Sequence, residues 1–368
     1  MSKIDKLIKQ LCPDGIKYEQ LGENCEVLRG KRLTKKELHE DGDFPVFHGG
    51  LIPLGRYDKF NRSANQTMVI NTGSVGEVVW SSVDFWSSDG TFVIKTSDNI
   101  NDRFLYYFLK TQESYLKTQK REGGVPTIDR QTVENLSIPI PPVPIQEEIV
   151  KILDAFTTLE AELEAELEAR KKQYYYYRVK LLSFENVEVE WKSLGDIAEI
   201  GTGSHNTQDA LENGIYTFYA RGITPLKLDS YEFDETAIIT AGDGAGVGKV
   251  FHWAVGKYAL HQRAYRIVPN NTVSSRYIYH YLITKFYDYI VKTSVSSSVT
   301  SMRKPMFLNF QIPIPSIAEQ ERIVAILDKF NILTSSLSDG LPKEIKLRKM
   351  QYEYYRNQLL TFNSVSNE

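Results

Sequence analysis

Cysteine is scarce in this chain of 368 residues, which contains only Cys12 and Cys25. Two cysteines provide no disulfide framework, and such low usage indicates a reducing compartment. Neither cysteine has a histidine or a further cysteine at the spacing that a metal site requires. The sequence therefore predicts no metal site built on cysteine and favours a cytoplasmic location.

Long apolar runs are also missing. None approaches the roughly 20 residues needed to span a bilayer, and the first 15 residues lack the apolar core and cleavage site of a signal peptide. Hydrophobic residues make up 42% of the chain and charged residues 25%, which is typical of globular proteins. We expect no membrane association and a length sufficient for at least two domains.

The chain has no excess of positive charge, since its formal net charge is −3. A strongly basic domain is the usual mark of a nucleic-acid-binding protein, so this balance argues mildly against one. The basic residues are nevertheless clustered, at Arg29–Lys36, Lys117–Arg121 and Arg303–Lys304. These clusters could still face a polyanion.

Motifs of common enzyme classes are missing as well. The segment Ala241–Val250 resembles a phosphate-binding loop, but Asp243 stands where that motif needs glycine and Val250 where it needs serine or threonine. Strand-like residues on both sides predict a glycine-rich hairpin loop instead, with Asn71–Val78 as its counterpart. We find no carboxylate and lysine cluster of a nuclease, no nucleophile triad, and no Asn/Asp-Pro-Pro-aromatic motif of an amino-methyltransferase.

A duplication is the strongest positive signal. The segment IPIPPVPIQEEIVKILDAF, which begins at Ile138, matches IPIPSIAEQERIVAILDKF, which begins at Ile312. The Leu-Gly pairs at Leu21 and Leu194 also correspond, so the repeat covers both halves of the chain. A match of this length, with apolar and aromatic positions retained, indicates two copies of one structural unit.

Each copy ends in a predicted long helix with apolar residues at alternating spacings of four and three, which is typical of a coiled coil. Such a seam needs a partner, and the other copy is the obvious one. A pseudo-twofold arrangement would place the two helices antiparallel and the domains at opposite ends. The second copy is four residues longer and contains Gly340 and Pro342, which predicts a kink or break. The predicted spacer and partner-binding positions are Ile149, Ile152, Phe156, Leu159, Ile323, Ile326, Phe330 and Leu333.

The remaining segments predict an α+β protein with two tandem mixed α/β domains. Strand-like runs such as Thr67–Gly73 and Thr91–Lys95 precede a helical pattern at Arg103–Gln119, and the second half repeats this order. The predicted organisation is an N-terminal helix (1–15), a first domain (16–140), a central spacer helix (141–184), a second domain (185–314) and a C-terminal spacer helix (315–368).

Polar and basic residues gather in the predicted loops of both domains. Arginine suits guanine and glutamine suits adenine as hydrogen-bonding partners. Any one of these residues is more simply an ordinary surface residue, but as a set on two matched domains they suggest recognition of a two-part ligand. The candidate DNA-binding residues are Arg29, Lys31, Arg32, His48, Arg56, Ser74, Ser88, Lys120, Arg121, Ser204, His205, Arg221, Gly244, His261, Gln262, Arg263, Thr300, Arg303 and Lys304.

The duplicated domain, the paired Leu-Gly entries and the two proline-helix segments together resemble the specificity subunits of type I restriction-modification systems. The resemblance covers essentially the whole chain. It implies that each domain is a target-recognition domain for one part of a bipartite, asymmetric double-stranded DNA sequence. It also implies that the helices set the gap and dock two methyltransferase (modification) subunits, and that two restriction (motor-nuclease) subunits join the complex.

The resemblance further implies that the chain is not an enzyme and binds no cofactor of its own. S-adenosylmethionine, ATP and Mg²⁺ would be bound by partner subunits. A stand-alone DNA-acting enzyme such as a nuclease remains the alternative, and it would require a carboxylate cluster that the sequence does not reveal.

Overall fold

The computed structural model describes residues 3–121, 125–185, 187–293, 301–336 and 338–364. It divides into two compact units, the first made of residues 1–163 with 345–368 and the second of residues 164–344. Within these ranges, none of the helices combines the length and the hydropathy that a membrane-spanning segment needs.

The first unit contains short helices and three small sheets. Its helices are α1 (Lys3–Leu11), α2 (Leu21–Asn24), α3 (Asp102–Thr111), α4 (Glu113–Thr118) and α5 (Arg130–Glu134). Its strands are β1 (Tyr18–Gln20), β2 (Cys25–Arg29), β3 (Phe44–Phe47), β4 (Gly55–Tyr57), β5 (Gln66–Ile70), β6 (Val78–Ser81), β7 (Trp86–Ser87), β8 (Thr91–Thr96) and β9 (Ser137–Pro139). The sheet orders are β2-β8-β5-β6, β4-β3-β7 and β1-β9.

The second unit repeats this plan after the long helix α6 (Val143–Leu181). Its elements are β10 (Glu190–Ser193), α7 (Leu194–Ile197), β11 (Ala198–Thr202), β12 (Tyr216–Tyr219), β13 (Leu226–Leu228), β14 (Phe233–Ala241), β15 (Phe251–Leu260), β16 (Ala264–Pro269), α8 (Ser275–Thr293), α9 (Lys304–Leu308), β17 (Gln311–Ile314) and α10 (Ile317–Ser335). The last helix, α11 (Leu341–Leu359), completes the chain. The sheet orders are β11-β16-β14-β15-β12-β13 and β10-β17.

The two units differ in how their sheets are joined. In the first unit the chain leaves β6 at Ser81 and re-enters a separate three-stranded sheet at β7. In the second unit β15 continues through both places, pairing first with β14 and then with β12. Gly256 lies within β15 at φ +77°, a backbone conformation that favours glycine. In the second unit one continuous strand therefore belongs to both parts of a single sheet.

Each unit buries one face of a long helix against its sheet-bearing domain. In the first unit, Ile145, Ile149 and Leu153 of α6 lie in the main core with residues of α3. In the second unit, Ile323 and Leu327 of α10 occupy the equivalent core. The duplication seen in the sequence is thus also a duplication of core packing.

A second face of each long helix packs against another helix. In the first unit, the Phe156 ring of α6 lies 5.6 Å from Tyr355 of α11 and 6.4 Å from Tyr352, and Glu160 pairs with Lys349 at 3.2 Å. Residues further along α6 contact residues nearer the start of α11, so the two helices are antiparallel.

The second unit builds the equivalent pair from other segments. Phe330 of α10 stacks between Tyr174 and Tyr177 of α6, at 6.0 and 5.6 Å. Leu182 shares a core with Ile323, so this pair is antiparallel as well. The predicted positions Ile149, Ile152, Phe156, Leu159, Ile323, Ile326, Phe330 and Leu333 all lie on α6 or α10.

The predicted break in the second repeat is confirmed. Helix α10 ends at Ser335 and α11 begins at Leu341. A Cβ atom at Gly340 would lie 2.3 Å from the Ile332 carbonyl oxygen. Only glycine therefore fits where the chain passes this close to the last turns of α10.

Candidate nucleic-acid interface

Five loops of the second unit meet and are held together by backbone hydrogen bonds. The His261 N–H donates to the Tyr219 carbonyl at 3.0 Å, and the Gly242 N–H donates to the Arg263 carbonyl at 2.8 Å. The Met302 N–H then donates to the Gly242 carbonyl at 2.7 Å. We call this set the second loop cluster, and it comprises residues 203–206, 220–222, 242–248, 261–263 and 301–304.

The second loop cluster brings together most of the residues predicted from the sequence of this half. The predicted residue Thr300 lies outside the described residues. The predicted residues in the cluster are Ser204, His205, Arg221, Gly244, His261, Gln262, Arg263, Arg303 and Lys304.

An aspartate joins two of the predicted arginines. Asp243 Oδ1 accepts from Arg221 Nη1 at 2.9 Å, and Asp243 Oδ2 accepts from Arg263 Nη1 at 3.0 Å. Burial alone would raise the pKa of Asp243, but the hydrogen bonds from the two arginines outweigh it and lower that pKa. The carboxylate is therefore ionised and holds both guanidinium groups in fixed positions.

Asp243 is not among the residues predicted from the sequence. For the segment Ala241–Val250 the sequence predicts a glycine-rich hairpin loop, in which Gly244 is the candidate DNA-binding residue. An acidic residue in a glycine-rich hairpin loop, in a domain with several loop arginines, was the available signal. The structure shows that the aspartate organises this loop set, since it binds an arginine from each of two other loops.

His261 is a buried member of the second loop cluster. Its side chain is 4% exposed, its Nδ1 accepts from the Arg263 N–H at 2.9 Å, and its ring stacks on Phe218. Burial, followed by the positive charge of Arg221, lowers the pKa of His261. The imidazole is thus neutral near pH 7, and Nδ1 is its unprotonated nitrogen.

Gly244 lies at the outer end of its loop. It has φ +82°, and a side chain there would meet nothing within 4 Å. Backbone conformation rather than crowding therefore favours glycine at this position.

The first unit contains a first loop cluster built on the same backbone pattern. The Ser88 N–H donates to the Phe47 carbonyl at 2.9 Å, and the Asn71 N–H donates to the Gly90 carbonyl at 3.0 Å. Thr72 forms an isolated bridge with Thr127. The first loop cluster comprises residues 29–33, 48–50, 71–76, 88–90, 120–121 and 125–128.

Most predicted residues of the first half lie in this cluster, but Arg56 does not. Arg56 is in β4, where its guanidinium donates to the carbonyls of Gly42 and Asp43 at 2.5 and 2.6 Å. Ser88 is in the cluster but buried, and its Oγ accepts from the Leu33 N–H at 3.3 Å. The predicted residues in the cluster are Arg29, Lys31, Arg32, His48, Ser74, Ser88, Lys120 and Arg121.

A matched side-chain cluster in each unit connects the domain to its long helix. In the first unit, Arg103 Nε donates to Asp154 Oδ1 at 2.8 Å and its guanidinium lies 4.8 Å from the Trp80 ring. In the second unit, Arg276 makes the same contacts with Asp328, at 2.8 Å, and Trp253, at 4.9 Å. Because these contacts recur, each domain is joined to its long helix in the same way.

Comparison with known proteins agrees with this duplication. The model of the type I restriction modification DNA specificity domain matches the chain twice, over residues 13–169 and 186–347. A type I restriction enzyme specificity subunit of Escherichia coli is 35% identical, over 100% of this chain and 99% of the relative. A second such subunit, from Methanocaldococcus jannaschii, is 22% identical over 87% of each chain.

Solved structures show the same fold. The S subunit of a type I restriction-modification system from M. genitalium matches with a TM-score of 0.68 at 20% identity, covering 94% of this chain and 96% of that one. The predicted fold class, with two mixed α/β domains and long helices, is confirmed. The chain belongs to the family of type I restriction-modification specificity subunits.

Proposed function

We propose that each unit of this chain recognises one part of a bipartite, asymmetric DNA sequence through its loop cluster. The observation that supports this most directly is the pair of loop clusters with one backbone pattern and different side chains. A shared scaffold gives both units the same way of approaching DNA, whereas different side chains present different hydrogen-bonding groups to the bases. Such a pair suits a target whose two parts differ.

The long helices act as the spacer and as the docking site for partner subunits. Tyr176 of α6 and Tyr354 of α11 occupy equivalent repeat positions, and both are exposed. Exposed aromatic residues are enriched at protein interfaces, and two equivalent surfaces suit two copies of a methyltransferase subunit. A solved structure that describes complex assembly of a type I restriction-modification system matches this chain with a TM-score of 0.60, which agrees with a role in assembly.

In this proposal the chain itself is not catalytic. Two restriction subunits complete the assembly, and the partners bind S-adenosylmethionine, ATP and Mg²⁺. Within the described parts of the chain, no group of three or more His, Cys, Asp or Glu residues comes together in a way that could hold a metal ion. No observation favours the nuclease alternative, and the relatives reported above are specificity subunits.

Selection of bound DNA tests this proposal. The chain, purified with its methyltransferase partner, is incubated with duplexes of random sequence, and the bound duplexes are sequenced. We expect a motif in two separated parts. A single continuous motif, or none, would contradict the proposal, and metal-dependent cleavage by the isolated chain would support the nuclease alternative.

A further inference from the structure

Backbone hydrogen bonds identify the positions in the first unit that are equivalent to Arg221, Asp243 and Arg263. The His261–Tyr219 hydrogen bond corresponds to the Ser88–Phe47 bond, and the Gly242–Arg263 bond corresponds to the Asn71–Gly90 bond. When residues are counted from these hydrogen bonds, Arg221 corresponds to Gly49, Asp243 to Thr72 and Arg263 to Gly90. The bridges formed by Thr72 with Thr127 and by Asp243 with Ser301 support this alignment.

The first unit has no room for a side chain at the two positions that correspond to the arginines. A Cβ atom on Gly49 would lie 2.5 Å from the Thr72 carbonyl oxygen, and one on Gly90 would lie 2.9 Å from the His48 carbonyl oxygen. Backbone packed against backbone closes both positions in the first unit. The second unit instead presents an arginine at each of these two positions and an aspartate in place of Thr72, so the two loop clusters differ in charge at this point.

Both arginines are available to a ligand while Asp243 holds them. The Arg221 and Arg263 side chains are 41% and 63% exposed, whereas the Asp243 side chain is 21% exposed. A guanidinium has five N–H donors, and Asp243 receives one Nη1 hydrogen bond from each arginine. Fixing both guanidiniums before binding reduces the conformational entropy lost on binding.

The charge of Asp243 distinguishes base edges from phosphates as the target. A carboxylate between the two arginines repels a phosphate group, so this arrangement is poorly suited to the DNA backbone. An oriented arginine instead matches the O6 and N7 acceptors of guanine in the major groove. On the basis of the function proposed above, we propose that Arg221 and Arg263 recognise guanine in the half-site bound by the second unit, with Asp243 as their positioning residue.

The test uses the complex of the full chain with its methyltransferase partner. Arg221→Lys, Arg263→Lys and Asp243→Asn are each compared with the wild type for binding to duplexes that differ at one base pair of the wild-type motif. Lysine keeps the positive charge, but its single ammonium group cannot pair with Asp243 and also present the planar pair of N–H donors that arginine offers to guanine. Asp234→Asn is the matched control, because Asp234 is an exposed carboxylate on β14, the strand that leads into the Asp243 loop.

We expect each of the three variants to lose about tenfold or more of its preference for G·C at one or two positions. These positions should lie in one half-site, and the preferences in the other half-site should remain. Asp234→Asn should keep the wild-type preferences throughout. If Asp243→Asn binds no duplex and its complex melts at a lower temperature, that result reflects lost stability. Arg221→Lys and Arg263→Lys then test the proposal.

The proposal is overturned if the lysine variants keep every base preference, or if they bind all duplexes more weakly to the same extent, as phosphate contacts would. Relaxation at A·T positions alone would also overturn it. A wild-type complex that selects no split motif would contradict the proposed function itself, which is a different result from any of these.

Discussion

At the scale of single residues, the two units differ in one buried contact with the long helix. In the second unit, His280 is 0% exposed and its Nε2 lies 2.8 Å from Asp328 Oδ1. In the first unit, Tyr107 takes this place and its hydroxyl donates to Asp154 Oδ1 at 2.5 Å. Only the histidine changes its charge between pH 4 and 7.

This histidine makes the second unit sensitive to acid. Burial, which outweighs the hydrogen bond to Asp328, lowers the pKa of His280 to about 4. In the unfolded chain the pKa is roughly 6.5, so the unfolded state binds the proton first. Neutral, buried His280 therefore makes its full contribution to the free energy of unfolding above about pH 6.5. This contribution is lost as the pH falls towards 4, by on the order of 3 kcal/mol in total.

Hydrogen exchange measures this effect in each unit separately. Between pH 7 and pH 4.5, after correction for intrinsic exchange, helices α8 and α10 should lose more protection than α3. His280→Tyr, which copies the residue of the first unit, should remove the difference. Equal loss of protection in both units of the wild type would show that His280 does not act as described.

A buried glutamine holds the start of the long helix in each unit. Gln146 Oε1 accepts from the Asn101 N–H at 2.8 Å, and its Nε2 donates to the carbonyls of Asn99 and Pro141 at 2.8 and 2.7 Å. Gln320 makes matching bonds with the Ser274 N–H and the Pro315 carbonyl, both at 2.9 Å. A glutamine at the equivalent position therefore hydrogen-bonds equivalent backbone groups in both units.

Gln146→Met should destabilise the first unit. It leaves buried backbone groups without partners, at a cost of roughly 1–3 kcal/mol for each such group. We expect the free energy of unfolding in urea to fall by about 2–4 kcal/mol. Gln131→Met, at an exposed position of α5, is the control and should change it little. Similar values for both variants would contradict this role of Gln146.

At the scale of elements, the sequence predicted the helices better than it predicted their buried faces. The proline-bounded repeats, and Gly340 with Pro342, were enough to predict α6 and the break before α11. The heptad pattern did not include Leu153 or Leu327, although both are 0% exposed. A heptad describes packing against one partner, whereas α6 and α10 pack against a helix and a domain at once.

The loop clusters show where prediction from the sequence stops. Strand and turn residues located the loops, and most predicted basic residues lie in them. Arg56 could not be separated from the others, because its bonds to Gly42 and Asp43 depend on the register of β3 and β4. Asp243 was missed for a similar reason, since its partners come from loops distant in sequence.

Leu153→Ala tests the domain-facing side of α6. Removing a fully buried leucine leaves a cavity, and such substitutions cost about 2–5 kcal/mol. Leu347→Ala, at a half-exposed position of α11, should cost less than about 1 kcal/mol. Denaturant unfolding of the two variants measures both values, and equal costs would contradict the assignment of Leu153 to the core.

At the scale of the whole molecule, the length of α6 should determine the gap in the DNA target. The helix is continuous from Val143 to Leu181. Four residues inserted between Leu159 and Leu167 lengthen it by about 6 Å, which is roughly two base pairs of B-DNA. The bound motif should keep both parts and gain a wider gap.

Sequencing of selected duplexes measures this gap. As a control, four residues inserted between Glu212 and Asn213, in an exposed loop of the second unit, should leave the gap unchanged. An unchanged gap after the insertion in α6 would show that this helix does not set the spacing.

We propose that the two units together determine a split DNA target. Single-molecule sequencing of methylated adenines, in the host with and without this gene, is the measurement that tests this proposal. We expect a methylated motif in two separated parts that disappears when the gene is deleted. A methylation pattern that contains no split motif dependent on this gene would contradict it.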